Sequence, residues 1–273
     1  FPTRRSSDLP VIRVLTADDE PALLRFLKPR AASSMFMLSN LRQAGLVDHG
    51  QRFQGTYAAA FEDDNIVAVV MLAWNGNIMP QAPVHLDALV DAAVAAAPRR
   101  PRGTIGPADQ GDRIAARLAL PTDPHDPRVQ MSERHGLYTL RLSDLRIPPA
   151  LASGQVRARR FEPRDITLLA TWVTMYLGEE TNSAADPFEL RTRLADECQR
   201  GQPRWVLEDD TGPLATNTFN AHIPEAVQIG GVFTPPVYRG RGYARCCVAG
   251  SLLEARDAGV ESAVLFAGED NRP

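Results

Sequence analysis

Arg239-Gly240-Arg241-Gly242-Tyr243-Ala244 is the stretch on which the reading of this chain turns. Before it stands a strand-like run, Gln228-Ile229-Gly230-Gly231-Val232-Phe233, closed abruptly by Thr234-Pro235-Pro236. After it, Ala244, Cys247, Val248, Ser251, Leu252 and Ala255 recur at three- and four-residue steps, which predicts a helix with a small apolar face. A glycine-rich turn opening a helix collects unpaired N–H groups at the positive end of the macrodipole, and that combination suits a phosphate. Gly240 and Gly242 let the backbone approach phosphate oxygens closely, Ala244 keeps the wall low, and the arginines add charge-assisted contacts. The paired glycines Gly230 and Gly231 inside the strand predict a bulge or the close approach of another backbone.

The turn lacks the Gly-Lys-Ser/Thr of a nucleoside-triphosphate loop. Arg245 stands where the third glycine of a dinucleotide fingerprint belongs. What the segment resembles is the acyl-CoA loop of the GNAT superfamily of N-acetyltransferases, whose pattern is Gln/Arg-x-x-Gly-x-Gly/Ala, matched here by Arg239, Gly242 and Ala244. Gly231-Val232-Phe233-Thr234 resembles that family's splayed fourth strand, and Asn271 an asparagine found after its fifth. The resemblance implies acetyl-CoA as acyl donor and no metal. Its pantetheine would lie on the main chain of Val232, Phe233 and Thr234, and its phosphates on Arg239, Gly240, Arg241, Gly242, Tyr243 and Ala244, with Asn271 adding a contact. It also implies direct attack on the thioester by the amine of a small molecule or peptide.

The family's usual acid is a tyrosine in the helix after Asn271, which would fall beyond Pro273; Tyr243, inside the phosphate loop, is no substitute. Glu179 and Glu180, at the end of a helical region, are the candidates for the base, with His222 and Glu225 behind them. A non-catalytic module that binds or senses acyl-CoA is the alternative. Cys246 and Cys247 raise the prospect of an acyl-cysteine, since a helix N-terminus lowers a thiol pKa. Cys247, however, lies on the apolar stripe with no histidine nearby in sequence, so packing is the expectation. Trp172 and Trp205 read as core residues, with contact to an acceptor pocket as the alternative.

Working outward, Gln155–Arg159 reads as a strand, Pro163–Tyr176 and Pro187–Gln199 as helices, and Arg204–Glu208, Leu214–Phe219 and Ala226–Phe233 as successive strands. The first half shows the same order. Val11–Leu15 is a strand, helices run through Leu23 to Leu27 and from Met35 to Leu46, and strands cover Tyr57–Phe61 and Ile66–Ala73. A helix over Leu86–Ala97 follows, then a short strand at Gly103–Ile105, a helix through Ile114 and Leu118, and a closing strand Gly136–Leu142. Strand-helix-helix-strand-strand in both halves implies an internal repeat at the level of element order. The expected division is a non-native or disordered leader over 1–10, an N-terminal GNAT-like domain over 11–146, a linker over 147–154 with two prolines and no charge, and a cofactor-binding domain over 155–273. The fold class is α/β with α+β mixed sheets: two GNAT-like domains, each a mostly antiparallel twisted sheet flanked by helices. The first copy reads as degenerate, because no Arg-Gly-x-Gly-x-Ala precedes residue 150.

Bulk properties bound the partners. With 273 residues, 44% hydrophobic and 23% charged, the chain can fill two cores. A net charge of −3 offers no general attraction to nucleic acid or anionic membrane, and Arg157, Arg159 and Arg160 read as a solvated face. No apolar run reaches the ~20 residues of a membrane span. Three cysteines suit neither a disulfide framework nor a zinc site, so a reduced, cytoplasmic setting is expected. Phe1–Leu9 reads as non-native, and Asn271-Arg272-Pro273 reads as a chain cut where a helix should begin.

Overall fold

The structure, a computed structural model, describes residues 10–180 and 186–268; Asn271 and residues 1–9 lie outside the described part. Contacts gather the chain into two units, one up to Thr122 and one from Asp123 onward.

In the first unit, strand β1 (Val11–Val14) leads through a 3-10 turn to α1 (Glu20–Leu27) and α2 (Ala31–Ala44). Then come β2 (Gly55–Glu62), β3 (Asn65–Ala73), β4 (Asn77–Gln81), α3 (Leu86–Ala96), β5 (Gly103–Thr104) and α4 (Ala108–Leu118). The sheet keeps chain order, antiparallel from β1 to β4 and parallel only between β4 and β5. Alternation along the strands divides the core. Ala58, Ala60, Val70 and Ile78 face Leu86, Leu89 and Val90 of α3. Tyr57, on the other face, donates its buried hydroxyl to the Met37 carbonyl of α2 at 3.3 Å. Strand β4, with Pro80 inside it, was illegible from pattern because proline is rare within sheets.

The second unit repeats the plan. It contains β6 (His135–Arg141), α5 (Pro149–Ala152), β7 (Arg157–Arg160), α6 (Ile166–Glu180), α7 (Pro187–Gln199), β8 (Arg204–Asp209), β9 (Gly212–Ile223), β10 (Ala226–Phe233), α8 (Tyr243–Asp257) and β11 (Ser262–Gly268). From β7 to β11 the strands follow chain order, and β10 with β11 is the parallel pair. Helix α8 covers one face over Leu207, Ala215, Val227 and Ile229. Leu169, Trp172 and Val173 of α6, with Leu190 and Leu194 of α7, cover Val206 and Phe233 on the other. The two units thus share one topology, β7 to β11 retracing β1 to β5.

The repeat also has a residue-level signature that element order did not disclose. In both units an arginine of the first strand grips an aspartate six residues on, in the turn before the first helix. Arg13 reaches Asp19 with two bonds of 2.6 Å; Arg159 reaches Asp165 at 2.6 and 2.9 Å. Each aspartate also accepts the N–H three residues before it, from Thr16 and Glu162, both at 2.8 Å. The second clamp is the more buried, and Arg159 bonds Glu208 as well, at 2.8 Å. This corrects the solvated-face reading for Arg159 alone: Arg157, beside Glu208, and Arg160, with its guanidinium 4.1 Å over the Trp205 ring, stay exposed.

Two expected boundaries move. The strand near Gly136–Leu142, expected to close the domain over 11–146, pairs instead antiparallel with β11, from His135↔Gly268 to Arg141↔Ser262. Its alternation marked it as a strand, but alternation cannot say which sheet edge it joins. Residues 147–154, expected as a free linker, contain α5, whose Ala150 and Leu151 pack on the second core. Helix α8 presses so closely on β7 that a Cβ at Gly250 would stand 2.2 Å from the Ala158 Cβ. Helical Gly→Ala ordinarily stabilises; here Gly250→Ala should cost about 1–3 kcal/mol through overpacking, read as a lower urea midpoint.

Candidate active site

The site forms at the end of β10. Two irregularities shape it. Between Gln228↔Ala221 and Ile229↔Phe219 the register skips Asn220 on β9; between Gly230↔Thr218 and Phe233↔Thr216 it gains a residue on β10. The side chain of Asn220 therefore lies across Gly230, where a Cβ would stand 1.9 Å from its Nδ2, and Gly231 adopts a left-handed φ of 53°. Both glycines are required, one by close approach and one by conformation. On the opposite side, β10 pairs with β11 only as far as Ile229↔Leu265. Residues 230–233 have no partner in β11, so the two parallel strands part and leave main-chain groups facing a gap.

Beyond β10, Pro236–Tyr238 forms a 3-10 turn and the chain enters α8 through Gly240 and Gly242, with φ of 77° and 79°. Gly242 is the left-handed N-cap of α8, and no acid occupies its first turn. A Cβ at either glycine would meet nothing within 4 Å, so conformation and the open space above the turn explain the glycines. The first N–H groups of α8 are orphans by helix geometry. Tyr243 turns its ring inward against Tyr238, 6.5 Å away and edge-on, and so offers a ligand its main chain. The Thr234 hydroxyl, buried at the strand end, finds no partner in the described residues. Released strand, orphan hydroxyl and open left-handed turn together fit a ligand that is extended along β10 and anionic at α8.

The structure joins two residues that sequence reading kept apart. Glu179, near the end of α6, accepts both 2.7 and 2.8 Å bonds from Arg239 Nη2, while Arg239 Nε donates to the Thr234 carbonyl at 3.0 Å. The pair is solvent-facing, with side-chain exposures of 47% and 43%. Glu180 ends α6, and its side chain lies outside the described part, as does Asn271. His222 and Glu225 lie at the hairpin end of β9 and β10, with His222 opposite Val227, away from the strand end at Phe233.

The cysteines pack. Cys246 and Cys247 are buried, burial pushes the Cys247 thiol up to about 12, and its Sγ donates to Asn217 Oδ1 at 3.2 Å. Asn217, which also bonds Ser251 Oγ at 2.9 Å, is thus a satisfied core group under α8 and not a groove residue. Trp205 is core, donating to Glu254 at 2.6 Å. Trp172 is buried too, but lines a pocket of about 180 Å³ that opens beside Gly231 and Phe233. Arg204, Thr218 and Tyr176 share that pocket. Sequence reading missed them; Arg204 at the head of the apolar run Trp205-Val206-Leu207 was the one available signal. Among the described residues no group of His, Cys, Asp and Glu could hold a metal, and no helix is long and apolar enough to cross a membrane.

Both units, the splayed β10–β11 pair and the glycine turn before α8 define the class: the fold is that of the GNAT acetyltransferases. Here it occurs twice in one chain. A GCN5-related N-acetyltransferase from Sphaerobacter thermophilus is similar over 97% of this chain and 89% of its own, with a TM-score of 0.51 and 15% identity. A tandem GNAT protein from the clavulanic acid biosynthesis pathway is similar over 97% and 92%, at 0.50 and 14%. A Drosophila protein matches over 96% and 91%, at 0.58 and 12%. No family model and no curated protein sequence matches the chain. The first unit has the fold without the turn: only residues 82–85 separate β4 from α3, against 234–242 in the second. His85 stands there as N-cap and Asp87 puts a negative charge in the first turn.

Proposed function

We propose that the second unit transfers an acetyl group from acetyl-CoA to an amine of a small molecule or peptide by direct attack. The observation that supports it best is the junction at the end of β10, where unpaired strand main chain and a helix N-terminus behind two left-handed glycines face the same ligand. Acetyl-CoA, when bound, supplies the activated thioester. Val232, Phe233 and Thr234 hold its pantetheine as an added strand would be held, and Arg239 with Gly240 to Ala244 holds its pyrophosphate. A strand N–H at the bulge stabilises negative charge as it develops on the thioester oxygen.

Glu179 accepts the amine proton. In the structure it sits on Arg239, but an ion pair this exposed contributes at most about 1 kcal/mol, so a pyrophosphate displaces it. Displacement leaves the carboxylate beside Thr234, ready to act as base. Amine-dependent release of free thiol from acetyl-CoA tests the activity. A turnover no faster than buffer, with acetyl-CoA bound, would instead favour a non-catalytic acyl-CoA sensor. Glu179→Gln separates the two roles: kcat should fall about 100-fold, while acetyl-CoA binds up to about fivefold tighter because Arg239 has lost its competitor. Unchanged kcat would remove Glu179 from the reaction.

A further inference from the structure

Arg204 opens β8 and pairs with Thr218, which pairs in turn with Gly230. Two strand spacings, about 9.5 Å, therefore separate the backbone of Arg204 from the bulge. Its side chain points away from α8, since its neighbour Trp205 fills the α8-side core, and retains 9% exposure. Nη2 donates to Glu197 Oε2 at 3.2 Å. Nε is buried and has no hydrogen-bond partner in the described residues. Burial pulls the guanidinium below its ordinary pKa against the opposing pull of Glu197, as expected of a charge held at a desolvation cost. Arg193 from α7 shares the same carboxylate, with Nε 3.5 Å from Oε1. Both arginines line the pocket. Among the described residues two guanidiniums, of half-exposed Arg193 and buried Arg204, face the one carboxylate of Glu197. A buried N–H without an acceptor is costly, and here it belongs to a side chain that lines a space reaching Gly231 and Phe233.

Trp172, Tyr176 and Phe233 make one side of the wall apolar and aromatic, while Thr216, Thr218 and Asn220 add polar groups. Trp172 and Tyr176 tilt over Phe233 with centroids 6.3 and 6.5 Å away. At about 180 Å³ the pocket is smaller than the roughly 300–1,000 Å³ of sites for drug-sized ligands. It suits a compact head group with one negative charge.

We infer that the acceptor is an amine of amino-acid size that carries a carboxylate, bound with the carboxylate on Arg204 and the amine directed at Gly231. This assignment rests on the transferase reading above and names the substrate class for that same site. The amine nitrogen forms its bond to the thioester carbonyl carbon, and the carbon–sulfur bond breaks. One amine proton passes to Glu179, and the departing thiolate is protonated from solvent. The carboxylate takes no part, stays charged throughout, and is still present in the N-acetyl product.

The test compares, on the unmodified chain, amines that differ in this group alone: amino acids, their carboxamides and the matching decarboxylated amines. Calorimetry measures acetyl-CoA binding separately. The acids should exceed their amides in kcat/KM at least about tenfold, the size of one charge-assisted bond to a buried donor. Equal or faster turnover of the amides overturns the proposal. Arg204→Met should keep acetyl-CoA binding and bring acid and amide within about twofold of one another; a folded variant that retains the preference overturns the assignment to Arg204. If acetyl-CoA fails to bind, or no amine is turned over, the transferase reading fails on its own. The carboxylate site is then judged by quenching of Trp172 fluorescence with N-acetyl amino acids, using Trp172→Phe to isolate the signal. Saturable quenching by the acids and not by their amides upholds it, and no difference between them sinks it.

Discussion

Gly242→Glu should weaken acetyl-CoA binding by at least about 100-fold, the equivalent of about 2.7 kcal/mol. Two costs add. Gly242 caps α8 at a φ of 79°, where a side chain costs roughly 1–2 kcal/mol. A carboxylate about 4 Å from a phosphate charge, at an effective dielectric near 20, costs about 4 kcal/mol before solvent screening. Gly242→Ala separates them, because nothing lies within 4 Å of the added carbon and only conformation is charged against it. Its affinity should drop about tenfold or less. Isothermal titration of the three proteins decides. A Gly242→Glu protein within threefold of its parent would mean that the pyrophosphate is not on this turn.

The second large effect is on stability. Asp165→Asn should cost about 3 kcal/mol, at the low end of what breaking a buried pair costs, because Arg159 keeps Glu208. The equivalent Asp19→Asn in the first unit should cost no more than about 1 kcal/mol, since Arg13 is 42% exposed against 16% for Arg159. One clamp in two environments thus becomes two different energies, measurable as urea midpoints. The pH dependence has a definite sign. Burial pushes the Asp165 carboxyl up, but the bonds from Arg159 and the Glu162 N–H more than offset it, and the net pKa lies below the ordinary value. A depressed native pKa adds stability that is fully present above the unfolded value of about 3.9 and is lost as pH falls below it. The gap between parent and Asp165→Asn should therefore be widest near neutral pH and narrow below about pH 4. A gap that stays constant down to pH 3 would remove the carboxylate from the account.

Much of the candidate site's geometry could be read locally. A helix that starts behind glycines depends on a few consecutive residues, so the turn from Arg239 to Ala244 could be picked out as a candidate before any coordinates. The same holds for the bulge at Gly230 and Gly231, because only glycine serves where φ is positive or a side chain crosses the backbone. Glu179 was reachable only as one of a pair at a helix end; its bond to Arg239, 60 residues away, is a tertiary fact. Of the pocket, only Trp172 was legible, as an alternative to core packing. Arg204, Thr218 and Trp172 come from three elements, and nothing in β8 alone distinguishes an arginine held over a cavity from one reaching solvent.

The sequence by itself determined the element order apart from β4, its repetition, and the glycine-opened start of α8, because hydrophobic period and glycine conformation act over a few residues. Only the tertiary structure decided that β6 joins the second sheet, that Ala150 and Leu151 pack on its core, that Asn217 is buried while Asn220 lies over Gly230, and that Arg204 keeps a buried N–H with no partner among the described residues beside the bulge. Those outcomes depend on which sheet edge is free and how closely two packed layers approach. Both are properties of the assembled core, and no short stretch of chain contains them.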